Sequence, residues 1–411
     1  MRSIFWGGFQ QHAAAVGLLG DAYNLLWGVG TLQVERSNVA DSGSQQVVFR
    51  LGELFSGPGG IATGAREASK SVPGYSIAHA WATDYDKDTC ATYKHNFPGT
   101  RVIHQDVRTI DIKDQLGPID GLAFGFPCND FSVVGERKGI DGTFGPLYEY
   151  GARVLDEYAP QWFLAENVGG LRNSNDGVAF EMILDRLQHA GKSHGGYRLY
   201  PHLYKFEEYG IPQRRHRILI VGIREDIDVE FEVPSPAPYA HIDNSVRTAL
   251  ADIPGWAENQ EQTKQSPAVI ERLKHILPGQ NAFTADLPGH LQLNVAGAKI
   301  SQIYKRLEAD KPSYTITGSG GGGTHVYHWA EHRALTNRER ARIQTFPDSF
   351  EFKGGKESVR KQIGMAVPPQ GARIVFEAIL KSFAGIAYEG VEPNLMHVLP
   401  AKREPVEAAT A

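Results

Sequence analysis

The sequence predicts an α/β fold with a doubly wound, Rossmann-like sheet and a second, smaller region that is mostly β or irregular. Three observations support this prediction. From Val47 onward, short apolar runs alternate with helix-like segments, which is typical of a parallel sheet with crossover helices. A Gly-rich turn separates the first apolar run from the first helix-like segment. After Arg224 the chain turns into Pro- and Gly-rich segments that have no helical period.

Length and composition set outer limits on the function. The 411 residues are too many for one ordinary core and suit two domains. No apolar run approaches the roughly 20 residues that a membrane span needs, so we expect no membrane association. The two cysteines indicate free thiols in a reducing, cytoplasmic compartment, and Cys90, inside an amphipathic segment, should be buried and inert. A formal net charge of −5 excludes a uniformly basic nucleic-acid coat and leaves only local patches.

The elements then follow in order. Residues 1–46 have no clear period and form an extension of unassigned role. Strand-like runs and helix-like segments make a first domain over residues 47–225. The smaller region occupies residues 226–359 and ends in a helix-like block, and a helix within residues 360–385 is expected to complete the first domain. Residues 386–411 are a C-terminal tail. The strand-like runs are VVFRLGELF, SIAHAWATD, RVIHQDV, IDGLAFGF, QWFLAENV and RILIVGI.

Glycines and acids gather where the first three strands end. The turn FSGPGG at 55–60 opens a helix, which suits close approach by a nucleotide-like ligand, although a plain tight connection fits the turn alone equally well. Asp84 ends the second run, where an acid can accept hydrogen bonds from ribose hydroxyls, and Asp106 ends the third. Strand-ending Asp residues are also common turn formers. Ligands bind outside the carboxyl ends of strands in such sheets, so the two acids would line one crevice.

A thiol, a carboxyl group and two guanidinium groups follow at the same predicted edge. Cys128 stands in a loop after the fourth run, and Glu166, followed by Asn167, ends the fifth. Arg215 and Arg217 are two residues apart in a strand-like segment, so they should share a face. The alternatives are ordinary, because a lone Cys is more often an inert small hydrophobe and a lone Arg more often belongs to a surface ion pair.

The order and spelling of these segments resemble the DNA (cytosine-5)-methyltransferase family. The Gly-rich segment, the Pro–Cys loop, the Glu–Asn–Val triplet and the Gln-x-Arg-x-Arg segment occur in that family's order, and a variable region follows. The segments RALTNRERARIQTFP at 333–347 and QIGMAVP at 362–368 resemble the family's last two blocks. The resemblance covers roughly residues 47–385, and six ordered blocks make a chance match implausible.

The resemblance implies a reaction and a role for each catalytic candidate. Cys128 would add as a thiolate to C6 of a cytosine rotated out of duplex DNA, so that C5 takes the methyl group of S-adenosylmethionine. Glu166 would protonate or hydrogen-bond N3 of the base, and Asn167 would help to hold the loop and the base. Arg217 would contact the base and Arg215 the Cys loop.

The resemblance also implies an S-adenosylmethionine pocket at the carboxyl edge of the sheet, with no metal. The adenine would stack on Phe55 and bind Asp106 through its amino group, and the ribose would bind Asp84. The other expected cofactor contacts are Gly57 and Gly59 near the methionine portion, Tyr85 as a second ring contact, and Ala366 in the last block.

Three positions depart from the family's pattern. Met365 follows Gly364 where the family usually has Asn, Asn337 stands where Pro is frequent, and Asn129 replaces a common Gln after Cys128. None of them is the Cys, the Glu or the Arg pair, so we expect catalysis to be retained.

Other function classes explain less of the sequence. An NAD-dependent oxidoreductase would leave the Cys loop and the Glu–Asn–Val triplet unexplained, and a Cys hydrolase would need a His base, which is absent near Cys128 in sequence. The closest enzymatic rival is a methyltransferase of tRNA cytosine, and the non-enzyme alternative is a catalytically silent DNA-binding relative. Residues 226–330, with Gly320–Gly323, are expected to recognise the target site, whose sequence they do not reveal. A restriction endonuclease acting on the same site, without a stable complex, is a further candidate partner.

Overall fold

A seven-stranded sheet is the largest sheet in the described part of the chain. The computed structural model describes residues 46–126, 147–293, 301–318 and 321–399, without the side chains of 174–176 and 322. The described strands are β1 Val47–Leu54, β2 Tyr75–Asp84, β3 Arg101–His104, β4 Gly121–Gly125, β5 Trp162–Val168, β6 Tyr197–Lys205, β7 Gln213–Arg214, β8 His216–Arg224, β9 Val233–Pro234, β10 Ser313–Tyr314 and β11 Gly390–Val391. The described helices are α1 Gly60–Ala68, α2 Lys87–Asn96, α3 Ile112–Gln115, α4 Tyr148–Tyr158, α5 Val178–Gln188, α6 Val246–Ala249, α7 Pro267–Lys274, α8 Asn337–Ile343, α9 Lys356–Met365 and α10 Pro369–Ala384.

The strand order is β3-β2-β1-β4-β5-β8-β6. The first five strands in that order are parallel, as the alternation of strands and helices predicted. β8 differs, because it runs antiparallel to both β5 and β6. Only a short connection containing β7 joins β6 to β8, and a connection without a crossover helix favours antiparallel pairing. The order reverses between β1 and β4, which is where open α/β sheets bind ligands.

The two faces of the sheet bury different side chains, since strand residues alternate. Leu51 and Leu164 belong to a core that also contains Ile379 and Leu380 of α10. A second core holds alternate residues of the same strands together with side chains of α4 and α5; its members include Leu54, Leu122, Phe163, Leu155, Ile183 and Leu184. Both faces of the sheet are therefore covered, as a doubly wound fold requires.

Helices α1 and α10 pack closely because a glycine faces an alanine. A Cβ on Gly64 would lie 2.5 Å from the Cβ of Ala372, which is too close for any larger residue. The last long helix of the chain thus returns to the first helix and shares its core. None of the helices in the described ranges is long and apolar enough to cross a membrane.

The region after β8 is irregular, and its described strands, β9 and β10, are only two residues long. It has a small core of its own, which includes Leu273, Ile276, Tyr304 and Tyr327. Arg306 is buried in this region, and its guanidinium donates to the backbone carbonyls of five residues: Leu273, Ile276, His328, Trp329 and Glu331. Side-chain bonds to carbonyls therefore replace the strand ladder that a β region would have.

The described part of the tail lies against the sheet. β11 pairs antiparallel with β9, and the Asn394 Oδ1 accepts from the backbone N–H of Leu203 at 2.8 Å. Leu395 is buried in the core that contains α4 and α5. The predicted extension, apart from Gln46, lies outside the described residues.

Candidate active site

A pocket of about 200 Å³ opens at the carboxyl ends of β1, β2 and β3. Four of the predicted cofactor residues line it: Phe55, Asp84, Tyr85 and Asp106. They come from three different segments of the chain, and the parallel strands bring them together. Its other lining residues, which the sequence did not single out, are Thr83, Gln105, Val107, Arg108 and Leu147.

The Gly-rich turn is bound to this pocket by its backbone. Gly57 has φ 56° and donates its N–H to Oδ2 of Asp84 at 3.0 Å. A Cβ on Gly57 would meet nothing within 4 Å, so the space beside this residue is open to a ligand. Gly59 has φ 100°, and a Cβ there would lie 2.7 Å from the Phe97 ring. The first glycine thus leaves room at the crevice, and the second allows the turn to pack on α2.

Asp84 is half-buried and accepts two backbone N–H groups. Besides the bond from Gly57, its Oδ1 accepts the N–H of Asp86 at 3.0 Å. Burial raises the pKa of Asp84, and these N–H donors oppose the rise. Each carboxylate oxygen has a second lone pair, so Asp84 retains the capacity to accept from ribose hydroxyls.

Cys90 lies directly behind this pocket. Its Sγ is 3.4 Å from the backbone oxygen of Asp84, and the side chain is buried. Burial, followed by the charge of Asp84, raises the pKa of Cys90 to about 12. A thiol with such a pKa is unreactive near neutral pH, which agrees with the prediction of an inert cysteine.

Asp106 has a partner that the sequence analysis missed. The Arg108 Nε donates to Asp106 Oδ1 at 2.8 Å, and Nη2 binds Oδ2. This bond from Arg108 is the main reason that the pKa of Asp106 is lower than usual. An adenine amino group would therefore share the carboxylate with Arg108. The spacing of two residues between Asp106 and Arg108 was the feature of the sequence that could have predicted this pair.

Helix α9 reaches the same edge through Lys361. Its Nζ lies 3.3 Å from Oδ2 of Asp86 and 5.7 Å from the centre of the Tyr85 ring. Tyr85 is 61% exposed, and its ring is free to cover a ligand in the pocket. The helix that leads into the last block therefore contacts the cofactor edge, although the sequence analysis did not single out Lys361.

The predicted carboxylate and one predicted guanidinium form an ion pair. Glu166 lies near the end of β5, two residues before Val168, Arg217 lies in β8, and Arg217 Nε is 2.8 Å from Glu166 Oε1. Each side chain is only 13% exposed. A Cβ placed on Gly125 would lie 3.0 Å from the other oxygen, Oε2. The carboxylate therefore lies beside the end of β4, where the Cys loop begins.

Asn167 ties β5 to that same point. It is buried, and its Nδ2 donates to the backbone oxygen of Phe126 at 2.8 Å. Phe126 is the last described residue before the segment 127–146, which contains Cys128. The position of Cys128 and of its neighbour Asn129 therefore lies outside the described residues. The predicted role of Asn167 in holding the loop has a described anchor at Phe126.

Arg215 is fully buried and occupies the gap between β7 and β8, so the segment is not one continuous strand. Its Nη1 donates to the Ile316 carbonyl at 3.0 Å, and Nη2 donates to the carbonyls of Gly364 at 3.1 Å and Ala366 at 2.9 Å. Burial lowers its pKa well below the usual value. The predicted contact with the Cys loop lies outside the described residues, and the observed bonds join the irregular region to the last block.

Ala366 lies beside the start of α1 and is buried. A Cβ on Gly60 would be 3.2 Å from the Ala366 Cβ. Two glutamines that the sequence analysis did not single out also join the segment around Arg215 to the irregular region and to the block at 333–347. The Gln213 Oε1 accepts the N–H of Ile316 at 2.9 Å, and its Nε2 donates to the Gln344 Oε1. Both belong to the blocks that carried the resemblance, and this membership was the only signal.

Two of the departures from the family pattern have described surroundings. Met365 is 60% exposed, so the substitution leaves no buried polar group without a partner there. Asn337 is the first residue of α8, and its Nδ2 donates to the Lys356 backbone oxygen at 2.9 Å. A Pro at the first helical position would lack this bond.

Comparisons with known proteins agree with this geometry. The family described as C-5 cytosine-specific DNA methylase matches residues 49–381. Type II methyltransferase M.BbvI of Brevibacillus brevis is 57% identical over 353 residues, which cover 84% of this chain and 94% of that protein. Type II methyltransferase M.NgoFVII of Neisseria gonorrhoeae is 36% identical and covers 88% of this chain and 93% of its own length.

Solved structures share the fold at low identity. An E. coli prophage-encoded protein, described as a DNA modification methyltransferase, has a TM-score of 0.62 at 22% identity over 82% of this chain and 99% of its own. The Dnmt2 methyltransferase of S. pombe has a TM-score of 0.54 at 17% identity over 82% of this chain and 99% of its own. The family match and the identity to M.BbvI place the chain: it belongs to the C-5 cytosine-specific DNA methylase family and is an S-adenosylmethionine-dependent DNA (cytosine-5)-methyltransferase.

Proposed function

We propose that the enzyme methylates C5 of a flipped-out cytosine in duplex DNA through a covalent bond to Cys128. The observation that carries this proposal is the pair formed by Glu166 and Arg217, together with the bond from Asn167 to the carbonyl of Phe126. These contacts put a carboxylate and a guanidinium beside the point where the Cys128 loop leaves β4. The Glu166–Arg217 pair can act in catalysis when the target cytosine lies between it and the Cys128 nucleophile.

The chemistry requires these groups together. C5 of cytosine is a poor nucleophile, and addition of the Cys128 thiolate to C6 makes C5 enamine-like. The electron pair displaced from the C5–C6 double bond moves toward N3, which takes a proton or a strong hydrogen bond from the protonated carboxyl form of Glu166. Arg217 binds Oε1 and orients the carboxyl group, which leaves Oε2 for N3. C5 would then take the methyl group while the bond of that group to the sulfonium sulfur breaks, and loss of the C5 proton would eliminate the Sγ thiolate from C6 and release the enzyme.

The pocket at the ends of β1, β2 and β3 fits S-adenosylmethionine. It offers an aromatic ring at Phe55, a carboxylate at Asp84 and open space beside Gly57. The cofactor supplies an electrophilic methyl group when bound. We assign Asp84 to the ribose, Asp106 to the adenine amino group, and Tyr85 to a second ring contact. Gly59 and Ala366 shape the turn beside the methionine portion.

We assign target recognition to residues 226–330, within a smaller domain that we place at 226–359. Its own small core around Tyr304 and Tyr327, and the buried Arg306 that binds its carbonyls, support a separately organised region. The sheet domain, 47–225 with 360–385, then serves the cofactor and the catalytic residues. Base flipping brings the cytosine to the catalytic edge, because C6 is inaccessible inside a duplex.

The biological setting follows from the relatives. M.BbvI and M.NgoFVII are called Type II methyltransferases, and we propose that this enzyme is likewise the modification half of a restriction–modification pair in the cytoplasm. Its partner would be a nuclease that acts on the same site without forming a stable complex. The likeness to S. pombe Dnmt2 concerns the fold alone and does not bear on the substrate.

Bisulfite sequencing of DNA from a host that expresses the protein tests the activity and reveals the target. We expect cytosines of one sequence context to resist conversion, and no protection with Cys128→Ser. Purified enzyme should methylate duplex DNA and leave tRNA unmodified. Methylation of tRNA alone, or a folded wild-type protein that protects no cytosine, would contradict the proposal.

A further inference from the structure

Four basic side chains lie together where residues 321–325 meet α8 and α9. We call His325, Arg340, Lys356 and Arg360 the basic cluster. Burial is the main cause that lowers the pKa of His325 to about 4, and the charges of Arg340, Arg360 and Lys356 lower it further. Arg360 also contributes to the lowered pKa values of Arg340 and Lys356, again after burial. The four groups are therefore within electrostatic range of one another.

The hydrogen bonds of the cluster are incomplete. Arg340 is only 3% exposed, and its Nη2 donates to Nδ1 of His325 at 3.3 Å. Because Nδ1 accepts this bond, the neutral ring carries its proton on Nε2. The Arg360 Nε is buried without a hydrogen-bond partner among the described residues. Arg360 Nη2 lies 3.6 Å from a carboxylate oxygen of Glu357, whose side chain is 89% exposed.

Nearby acids neutralise the cluster only in part, because Glu357 approaches Arg360 no closer than 3.6 Å and is exposed. Glu339 affects the pKa of Arg340, but its two oxygens bind Arg333 at 2.8 and 2.7 Å. Glu261, which affects the pKa of Lys356, is exposed. Like charges close together disfavour one another, so a bound anion would relieve the repulsion within the cluster.

We propose that the basic cluster binds one backbone phosphate of the duplex DNA. Guanidinium groups bind phosphate oxygens with two parallel bonds, and a lysine adds a point charge. A Cβ on Gly321 would meet nothing within 4 Å, so the start of the segment 321–325 leaves room for a sugar–phosphate chain. This inference rests on the proposed function, since it takes duplex DNA as the substrate.

The position of the cluster suits a phosphate near the target base. Arg360 lies four residues before Gly364 in α9, about one helical turn. The carbonyl of Gly364 accepts from Arg215, which is two residues before the catalytic candidate Arg217. A strand of DNA that delivers its base to Glu166 would therefore pass close to α9.

The salt dependence of DNA binding tests the proposal. Each phosphate neutralised contributes about −0.9 to the slope of log K against log salt concentration. Arg360→Gln or Lys356→Gln should flatten the slope by up to about one unit and weaken binding about eightfold at 0.1 M salt, equally for target and non-target duplexes. Lys353→Gln is the matched control, because Lys353 already pairs with Glu351 at 2.8 Å and should leave the slope unchanged. Unchanged S-adenosylmethionine affinity shows that the variants are folded.

Replacing single phosphates by neutral methylphosphonates locates the contact. Wild-type affinity should fall at one backbone position, and Arg360→Gln should be insensitive to the substitution at that position. Folded variants that keep the wild-type salt dependence would overturn the phosphate contact but not the proposed function. The same conclusion would follow if inorganic phosphate raised the Tm of the wild type while the variants and the wild type had equal slopes. A wild-type protein that binds no duplex would overturn the proposed function and this contact together.

Discussion

Glu166 and Arg217 form a nearly buried ion pair across β5 and β8, with Nε 2.8 Å from Oε1. Glu166→Gln keeps the shape of the side chain but removes its acidity. We expect kcat for methyl transfer to fall about 100-fold or more, which is the usual contribution of general acid–base catalysis. S-adenosylmethionine affinity should be unchanged. The exposed Glu181→Gln in α5 is the control, and a Glu166→Gln enzyme with wild-type kcat would exclude the assigned role.

Asp84 tests the cofactor pocket. Asp84→Ala removes a carboxylate that holds Gly57 and is assigned to the ribose, so S-adenosylmethionine binding should weaken by about 1.5–3 kcal/mol. Calorimetry measures this directly. Asp111→Ala is a matched control, because Asp111 also accepts backbone N–H groups, those of Lys113 and Asp114, at the start of α3. Equal affinities for the two variants would reduce Asp84 to a turn former.

Arg215 tests the connection between the irregular region and the last block. Arg215→Met leaves the carbonyls of Ile316, Gly364 and Ala366 without their donor, and buried acceptors without partners are costly. The free energy of unfolding should fall by about 3 kcal/mol in urea titrations. The neighbouring exposed Arg214→Met should change it by less than about 0.5 kcal/mol. A stable Arg215→Met protein would mean that water or rearrangement satisfies these carbonyls.

His202 makes stability depend on pH. It is buried beside Asn394, and burial lowers its pKa to about 4. Because the folded protein resists protonation, the unfolded chain takes up the proton first, and stability is lost as pH falls from about 6.5 to about 4. Across this window His202→Gln should lose about 3 kcal/mol less than wild type. Parallel pH profiles would place the titration elsewhere.

The sequence predicted the parallel strands and the cofactor edge because both rest on local pattern. Short apolar runs that alternate with helix-like segments identify β1 to β5, and the parallel arrangement carries Phe55, Asp84 and Asp106 to one pocket. β6 escaped detection because polar residues and Pro201 interrupt its apolar pattern. Proline is tolerated there because β6 is an edge strand.

Side-chain partners that span the chain could not be read from the sequence. The bonds of Arg215 reach residues 101 to 151 positions away, and no local period encodes such separations. The same holds for Arg306, whose carbonyl partners organise an irregular region in which the described strands are only two residues long. The pairing of Asp106 with Arg108 is local and could have been predicted, but the expected adenine contact concerned Asp106 alone.

Covalent catalysis by Cys128 is the central claim, and a trapped adduct tests it most directly. Release of the enzyme requires loss of the C5 proton, and fluorine at C5 cannot leave as a cation. DNA with 5-fluorocytosine at the target should therefore hold the protein in an adduct that survives denaturing electrophoresis and forms only with S-adenosylmethionine. Cys90→Ser should still form it, because the buried Cys90 has its pKa raised to about 12, and Cys128→Ser should not. Wild-type enzyme that methylates ordinary DNA but yields no adduct, or Cys128→Ser with full activity, would contradict the account.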